Sequence, residues 1–180
     1  MMNTHTIFNP VMIRNVCSKT YLDMFMHLIP SIELWEDEEQ IAEEDYDKIN
    51  LTKLNLIEHG HYKNPVLAGI AIGLMSQIYD AGGKDYFIPE IHFCGISVKE
   101  KTTKVNLHTD NWDEKKLKVL GILNSDWDNR QDGGGFIYED MSYSLQPMNF
   151  LIFDSRQTHS NDIIFSDKER IAVDFTVTKL

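Results

Sequence analysis

The 180-residue sequence has little cysteine and no long apolar run, and each shortage excludes a class of protein. Two cysteines, Cys17 and Cys94, are too few for a disulfide framework, so we expect a reducing, cytoplasmic location. No stretch approaches the roughly 18 apolar residues that a membrane-spanning helix needs. The N-terminus also lacks the basic start and apolar run of a signal peptide, so we expect neither secretion nor a membrane partner.

Basic residues are also scarce. The chain has 17 Lys and Arg against 28 Asp and Glu, which gives a formal net charge of −11. This balance argues against an extended nucleic-acid surface, because phosphate backbones attract basic proteins. The acidic excess is concentrated in residues 33–47, which hold nine acidic residues and no Lys or Arg. The segment is either a solvated helix face or loop, or a docking surface for a basic partner.

The remaining composition, with 42% hydrophobic and 25% charged residues, is typical of one globular domain. We predict a single domain over residues 1–180, in which 1–85 give helical support and 86–180 form a β-rich core. Helices are expected at 20–29 and 65–80. Pro65 suits a first helical position, and two glycines follow the second helix.

From Tyr86 onward, short apolar runs alternate with turn-forming residues. The expected strands are 91–98, 103–109, 117–124, 135–139, 149–154 and 171–177. Strands at this spacing are typical of a closed or double-layered antiparallel structure, with the helices covering one sheet. The predicted fold class is therefore mainly β with supporting helices.

Four polar residues in the β-rich half suggest a chemical function. His108 and Asp110 lie two residues apart after a strand run, so their side chains can point the same way, towards a metal ion or into a polar turn facing water. His159 follows an apolar run, and Arg170 comes eleven residues later. Two imidazoles and one carboxylate leave three metal positions open, which suits Fe(II), and an arginine offers a planar fork for a carboxylate. The set fits an oxygenase driven by 2-oxoglutarate.

The sequence around these residues resembles a known family. The matching segments are 108-HTD-110, 122-ILNSDWD-128, 133-GGGFIY-138, 147-PMNFLIFDSRQTH-159 and 170-RIAVDFTV-177. Together, residues 86–180 resemble the Fe(II)/2-oxoglutarate-dependent dioxygenases, in particular their prolyl-hydroxylase-like branch. The resemblance implies a double-stranded β-helix, or jelly roll, with an α-helical N-terminal part.

The resemblance also implies a site and a reaction. His108, Asp110 and His159 would bind Fe(II), and Arg170 would hold the far carboxylate of 2-oxoglutarate. The keto acid would be oxidised by O2 to succinate and carbon dioxide while a substrate is hydroxylated, with ascorbate as a further candidate cofactor. The branch suggests peptidyl proline or another amino-acid side chain as substrate, in a peptide, a protein or a small molecule.

The chain departs from its relatives near the cosubstrate. Many of them carry a tyrosine just before the Leu-Asn pair, and another about ten residues before the first iron-binding histidine. Ile122 and Val98 occupy these positions here. A different residue is therefore expected to assist Arg170. The candidates are Tyr138, Thr176 and Ser97.

Other histidines and a rival function stay open. His59 and His61 are either a zinc site or a solvent-facing pair between two helices, and His92 is either an interior histidine or a neighbour of the active site. The rival function is a non-catalytic jelly-roll module that binds through residues 33–47.

Overall fold

The computed structural model of the chain describes residues 8–29, 36–37, 51–101, 105–110 and 113–180. Apart from the two residues 36 and 37, the acidic segment 33–47 lies outside the described residues, so its proposed docking role stays a prediction.

The described residues form two antiparallel sheets and two main helices. The strands are β1 (Val11–Ile13), β2 (Glu36–Asp37), β3 (Leu51–Glu58), β4 (His61–Tyr62), β5 (Phe87–Lys99), β6 (Val105–His108), β7 (Lys116–Ile122), β8 (Phe136–Tyr138), β9 (Met141–Tyr143), β10 (Phe150–Phe153), β11 (His159–Asn161) and β12 (Arg170–Lys179). The helices are α1 (Lys19–Leu28), α2 (Pro65–Asp80) and the short α3 (Asn129–Asp132), with a 3-10 turn at Gly83–Asp85. The large sheet has the order β1-β10-β7-β12-β5-β3-β2, with β4 paired to β3, and the small sheet has the order β6-β11-β8-β9.

The two predicted helices and the six predicted strands are confirmed. Helix α1 begins after Ser18, whose side chain accepts a hydrogen bond from the backbone N–H of Tyr21. Helix α2 begins at Pro65, after Asn64 caps the N–H of Leu67 in the same way. No helix among the described residues is both long and apolar enough to cross a membrane.

One part of the N-terminal half differs from the prediction. Residues 51–58 form strand β3, although the region around them was expected to be helical. Leu54 and Leu56 are buried and alternate with polar residues, which is the period of a strand. The turn after β3 has positive φ at His59 (47°) and Gly60 (78°), which makes a tight hairpin to β4. His59 and His61 therefore belong to a β-hairpin, not to a connection between helices.

The large sheet separates two environments, because successive side chains along each strand point to opposite faces of the sheet. On β12, Ile171, Val173, Phe175 and Val177 pack into the core that α1 and α2 cover. The intervening residues 170, 172 and 174 face the opposite side. The sheet thus has one apolar face for the helices and one face available for polar groups.

A second core lies between the two sheets, and a cavity of about 410 Å³ adjoins it. Phe136 of β8, Phe153 of β10 and Ala172 of β12 belong to this core and also line the cavity. The cavity therefore has an apolar wall on one side and strands from both sheets around it.

Two glycines form a matched pair that tests the packing of the helix-covered core, to which Phe150 belongs. A Cβ at Gly121 would lie 2.2 Å from Cε1 of Phe150, whereas a Cβ at exposed Gly69 in α2 would meet nothing within 4 Å. We expect Gly121→Ala to lower the free energy of unfolding by about 1–3 kcal/mol through overpacking. Gly69→Ala should raise it by about 0.5–1 kcal/mol, because alanine favours a helix. Urea unfolding measures both, and an unaffected Gly121→Ala protein would contradict the described packing.

Candidate metal and anion site

The pairing of two strands brings the two histidines together. His108 ends β6, His159 begins β11, and the two residues are direct antiparallel partners. Their ring centroids are 4.4 Å apart. Asp110 follows β6, and its backbone N–H is held by the carbonyl of Ser155 at 3.0 Å. The structure therefore joins segments that are separated by about fifty residues of sequence.

The carboxylate of Asp110 lies between the two rings. Nε2 of His108 is 3.1 Å from Oδ1, and Nε2 of His159 is 3.3 Å from Oδ2. One potential ligand atom from each of the three residues lies within 4.8 Å of the others. His59 and His61 are not part of this cluster.

Hydrogen bonds set the orientation of both rings. Nδ1 of His108 is 2.8 Å from the carbonyl of Asn106, and Nδ1 of His159 is 2.9 Å from the carbonyl of Gln157. A carbonyl only accepts, so each Nδ1 carries the proton and donates. In a neutral ring, Nε2 then offers a lone pair towards Asp110, and lone pairs facing a carboxylate require a cation between them. A metal ion bound by both Nε2 atoms and the carboxylate would meet this need.

Asp110 is ionised at neutral pH. Burial alone would raise the pKa of its carboxyl, but hydrogen bonds from His108, His159 and Lys118 hold that pKa well below the usual range. The cluster therefore presents one permanent negative charge and two imidazoles, a donor set that suits a divalent transition metal.

One side of the cluster is sealed by aromatic rings. His159 is only 4% exposed, and its ring centroid lies 5.1 Å from that of Phe153 and 5.8 Å from that of Phe136. The side chains of His108 and Asp110 stay partly exposed towards the cavity. A ligand would therefore enter from the cavity, not through the aromatic wall.

Arg170 lies in the same cavity and has an unusual environment. Its side chain is 2% exposed, and its Nε and Nη2 atoms have no hydrogen-bond partner among the described residues. Burial lowers its pKa to about 10. Gly134 leaves room for it, since a Cβ there would lie 2.9 Å from Cδ of Arg170. A buried guanidinium with unpaired donors is costly to fold around, and an anionic ligand would supply the missing partner.

Lys99 is a second cation beside Arg170, and it is not among the site residues predicted from the sequence. The two residues are direct partners across β5 and β12. Nζ of Lys99 donates to Oδ1 of Asn161 at 2.5 Å. Burial lowers the pKa of Lys99 to about 7, and repulsion from Arg170 and Lys53 adds to this effect. The alternation of side chains along β5 could have indicated this position for Lys99. Val98 packs on the helix side of the sheet, so the adjacent Lys99 must face the cavity.

The three candidate helpers of Arg170 lie in different places. Ser97 lines the cavity. The hydroxyl of Tyr138 instead donates to the carbonyl of Phe8 at 3.0 Å, and its ring packs in the second core. Thr176 is buried on β12, and neither it nor Tyr138 is among the residues that line the cavity. His92 also lies outside this lining, and its Nε2 contacts Oγ1 of Thr178 at 2.8 Å.

A third cation, Lys118 of β7, contacts the cluster of His108, Asp110 and His159 itself. Its Nζ lies 2.6 Å from Oδ2 of Asp110 and 3.3 Å from Oδ2 of Asp174. Burial would lower the pKa of Lys118, but attraction to Asp174 and Asp110 raises it above the ordinary value. The side chain is therefore an ammonium ion. Nothing in the sequence alone places Lys118 next to Asp110.

Comparisons with known proteins identify the fold. No protein-family model matches the sequence, and no curated protein gives a significant match. Similar solved structures include a prolyl-4-hydroxylase from Pseudomonas putida, with 12% identity, a TM-score of 0.63 and coverage of 94% of this chain and 92% of that one. A second is a prolyl hydroxylase from Trichoplax adhaerens in complex with a hypoxia inducible factor peptide fragment, with 15% identity, a TM-score of 0.66 and coverage of 94% and 83%.

A third similar structure is HygX from Streptomyces hygroscopicus with nickel and 2-oxoglutarate bound. It has 10% identity, a TM-score of 0.68 and coverage of 94% of this chain and 82% of that one. The likeness extends over nearly the whole described chain and confirms the predicted fold. The protein has the double-stranded β-helix, or jelly roll, of these oxygenases.

The unpaired guanidinium predicts an unusual response to mutation. Because Arg170 is buried and two of its nitrogens find no partner among the described residues, we expect Arg170→Met to raise the free energy of unfolding of the ligand-free protein by roughly 1–3 kcal/mol. The exposed Arg14 gives a matched control, and Arg14→Met should change this value little. Urea unfolding at pH 7 measures both variants. A clear loss of stability in Arg170→Met would show that the arginine is structural.

Proposed function

We propose that this protein is an Fe(II)- and 2-oxoglutarate-dependent oxygenase. In this proposal His108, Asp110 and His159 hold the iron, while Arg170 and Lys99 hold the distal carboxylate of the keto acid. One observation carries the proposal: the His-Asp-His cluster lies in the same cavity as a buried guanidinium, two of whose nitrogens have no partner in the described part of the chain.

The donor set supports iron. Two imidazole nitrogens and one carboxylate oxygen on one side of the metal leave three positions for other ligands, as in mononuclear Fe(II) oxygenases. A closed zinc site would need a fourth protein ligand, and the cluster of described residues has three members.

The spacing of the cavity supports a five-carbon diacid. His159 and Asn161 are two residues apart on β11, and Lys99 donates to Asn161. Two residues of strand span about 7 Å. A five-carbon chain is roughly 5 Å between its end carbons, and a metal–oxygen bond adds about 2 Å. A keto acid bound to the metal at one end would therefore reach Lys99 and Arg170 with its other carboxylate.

The residues of the chain would bind, orient and shield the reactants. Asp110 stays ionised, the carbonyls of residues 106 and 157 keep both imidazoles aimed at it, and Phe136 and Phe153 exclude water from one side. Bound iron, keto acid and O2 would supply the oxidising chemistry, in which 2-oxoglutarate loses carbon dioxide and takes up one oxygen atom of O2 to give succinate, while the other oxygen atom goes to the substrate.

For the hydroxylated substrate, we propose an amino-acid side chain in a peptide or protein, with peptidyl proline first. Prolyl hydroxylases from two organisms share the fold, which supports this choice. A panel of proline-containing peptides, scored for a mass increase of one oxygen atom, tests it. Hydroxylation of small molecules alone would overturn this assignment while leaving the oxygenase assignment intact.

Removal of a proposed iron ligand should abolish turnover. We expect Asp110→Ala and His159→Ala to form no succinate above background, while His61→Ala, a substitution in the exposed hairpin, behaves like the native protein. The assay contains Fe(II), 2-oxoglutarate and O2, with and without ascorbate. Circular dichroism confirms that each variant is folded. Native-level succinate formation by Asp110→Ala would refute its assignment as a ligand.

The pKa of Lys99 predicts a pH-dependent affinity for 2-oxoglutarate. Because this pKa is about 7, the ammonium is present below pH 7 and is lost as the pH rises above it. We expect the affinity of the manganese-loaded protein to fall by up to about tenfold between pH 6.5 and 8.5, since a charge-assisted hydrogen bond contributes about 1.5–3 kcal/mol. Calorimetric titration measures this. In Lys99→Met the affinity should be lower at pH 6.5 and nearly constant with pH; an unchanged pH profile would exclude Lys99 from the carboxylate site.

A further inference from the structure

Lys118 occupies a position that the proposed iron and 2-oxoglutarate sites do not explain. It lies on β7, in the large sheet, whereas the three proposed iron ligands come from the small sheet and the segment after β6. Its side chain is 19% exposed and reaches across the cavity to Oδ2 of Asp110 at 2.6 Å. The side chain thus links the two sheets at the proposed iron site.

The alternation of β7 places this charge in the cavity. Leu117 and Val119 pack into the helix-covered core, so Lys118 must point to the opposite face. Leu120 and Ile122 share that face and are apolar. A lysine among them is unfavourable unless its charge is compensated, and Asp174 on the neighbouring strand β12 provides that compensation at 3.3 Å.

The contact divides the two oxygens of Asp110. Oδ2 lies 2.6 Å from Nζ of Lys118 and 3.3 Å from Nε2 of His159, so its shorter contact is with the ammonium, whereas Oδ1 lies 3.1 Å from Nε2 of His108. A carboxylate can bind a metal through one oxygen or through both, and the second mode occupies an additional position. A keto acid that chelates the metal needs two of the three positions left open by the protein, and O2 needs the third.

We propose that Lys118, held in place by Asp174, is a positioning residue that keeps Oδ2 of Asp110 away from the metal. Asp110 would then bind a metal through one oxygen, and the positions for the keto acid would stay open. The inference rests on the proposed function and deepens it, because it assigns a role to a lysine and an aspartate that touch neither iron nor 2-oxoglutarate in that scheme.

Two simpler explanations predict different results. If Lys118 and Asp174 form only a structural ion pair, removing the lysine should lower the stability of the protein. It should also weaken the binding of the metal and the binding of the keto acid to the same extent. If Lys118 only adds positive charge, its removal should weaken every dianion to the same extent. A titration with succinate distinguishes this general charge effect from the proposed positioning role, because succinate carries the same charge as 2-oxoglutarate but lacks the keto group needed to chelate the metal.

The test uses the whole 180-residue chain loaded with Mn(II) at pH 7, with Lys118→Met as the main variant. We expect its Mn(II) affinity to equal or exceed the native value, because a nearby positive charge is removed. Its affinity for 2-oxoglutarate should fall at least tenfold, while its affinity for succinate changes less than threefold. Lys118→Arg should restore 2-oxoglutarate binding to within about threefold, and the electron paramagnetic resonance spectrum of bound Mn(II) should change in Lys118→Met alone.

Lys116→Met is the matched control, since Lys116 lies on the same strand and pairs with the exposed Asp113. It should behave like the native protein in every titration. Equal losses of 2-oxoglutarate and succinate, equal losses of metal and keto acid, or an unchanged 2-oxoglutarate affinity in Lys118→Met would each overturn the inference. Native protein that binds neither Mn(II) nor 2-oxoglutarate would instead refute the proposed function, so the two failures are distinguishable.

Discussion

The antiparallel pairing of β6 with β11 is the constraint on which the candidate site depends. It sets His108 opposite His159, and the backbone contact from Ser155 to Asp110 brings the carboxylate to the same point. A shift of one residue in this register would turn one imidazole to the outer face of the small sheet. The large sheet and its helices are therefore the support that holds two short strands in a single alignment.

The cavity concentrates charge directly beside the second apolar core that lies between the two sheets. The helix-covered face of the large sheet carries the apolar packing, and this burial offsets the cost of placing Arg170, Lys99 and Lys118 on the opposite face. Each of these cations sits on a strand whose alternate residues are apolar. The same period-two pattern thus explains both the stability of the sheet and the polarity of the site.

Sequence alone could predict the parts of the protein that depend on local pattern. Short apolar runs revealed the main strands, and the spacing of His108, Asp110, His159 and Arg170 indicated a shared site. Lys99 and Lys118 were not predicted, because their roles depend on which strands are neighbours in the sheet. Local sequence periodicity does not determine the order of the strands. Strand β3 escaped because its flanking segments were interpreted as helical, although the alternation of Leu54 and Leu56 with polar residues was visible.

The charges of the cavity explain why metal and keto acid would bind best together. The anions Asp110 and Asp174 face the cations Arg170, Lys99 and Lys118, while Lys53 and Glu58 at the lining offset each other. When Lys99 is protonated, the carboxylates, lysines and arginine that line the cavity therefore sum to one net positive charge. A divalent metal alone would raise this to three, and a dianion alone would reverse its sign. When both ligands are bound, the net charge of the cavity returns to one positive charge. Each ligand therefore lowers the electrostatic free-energy cost of binding the other, and the two sites are coupled.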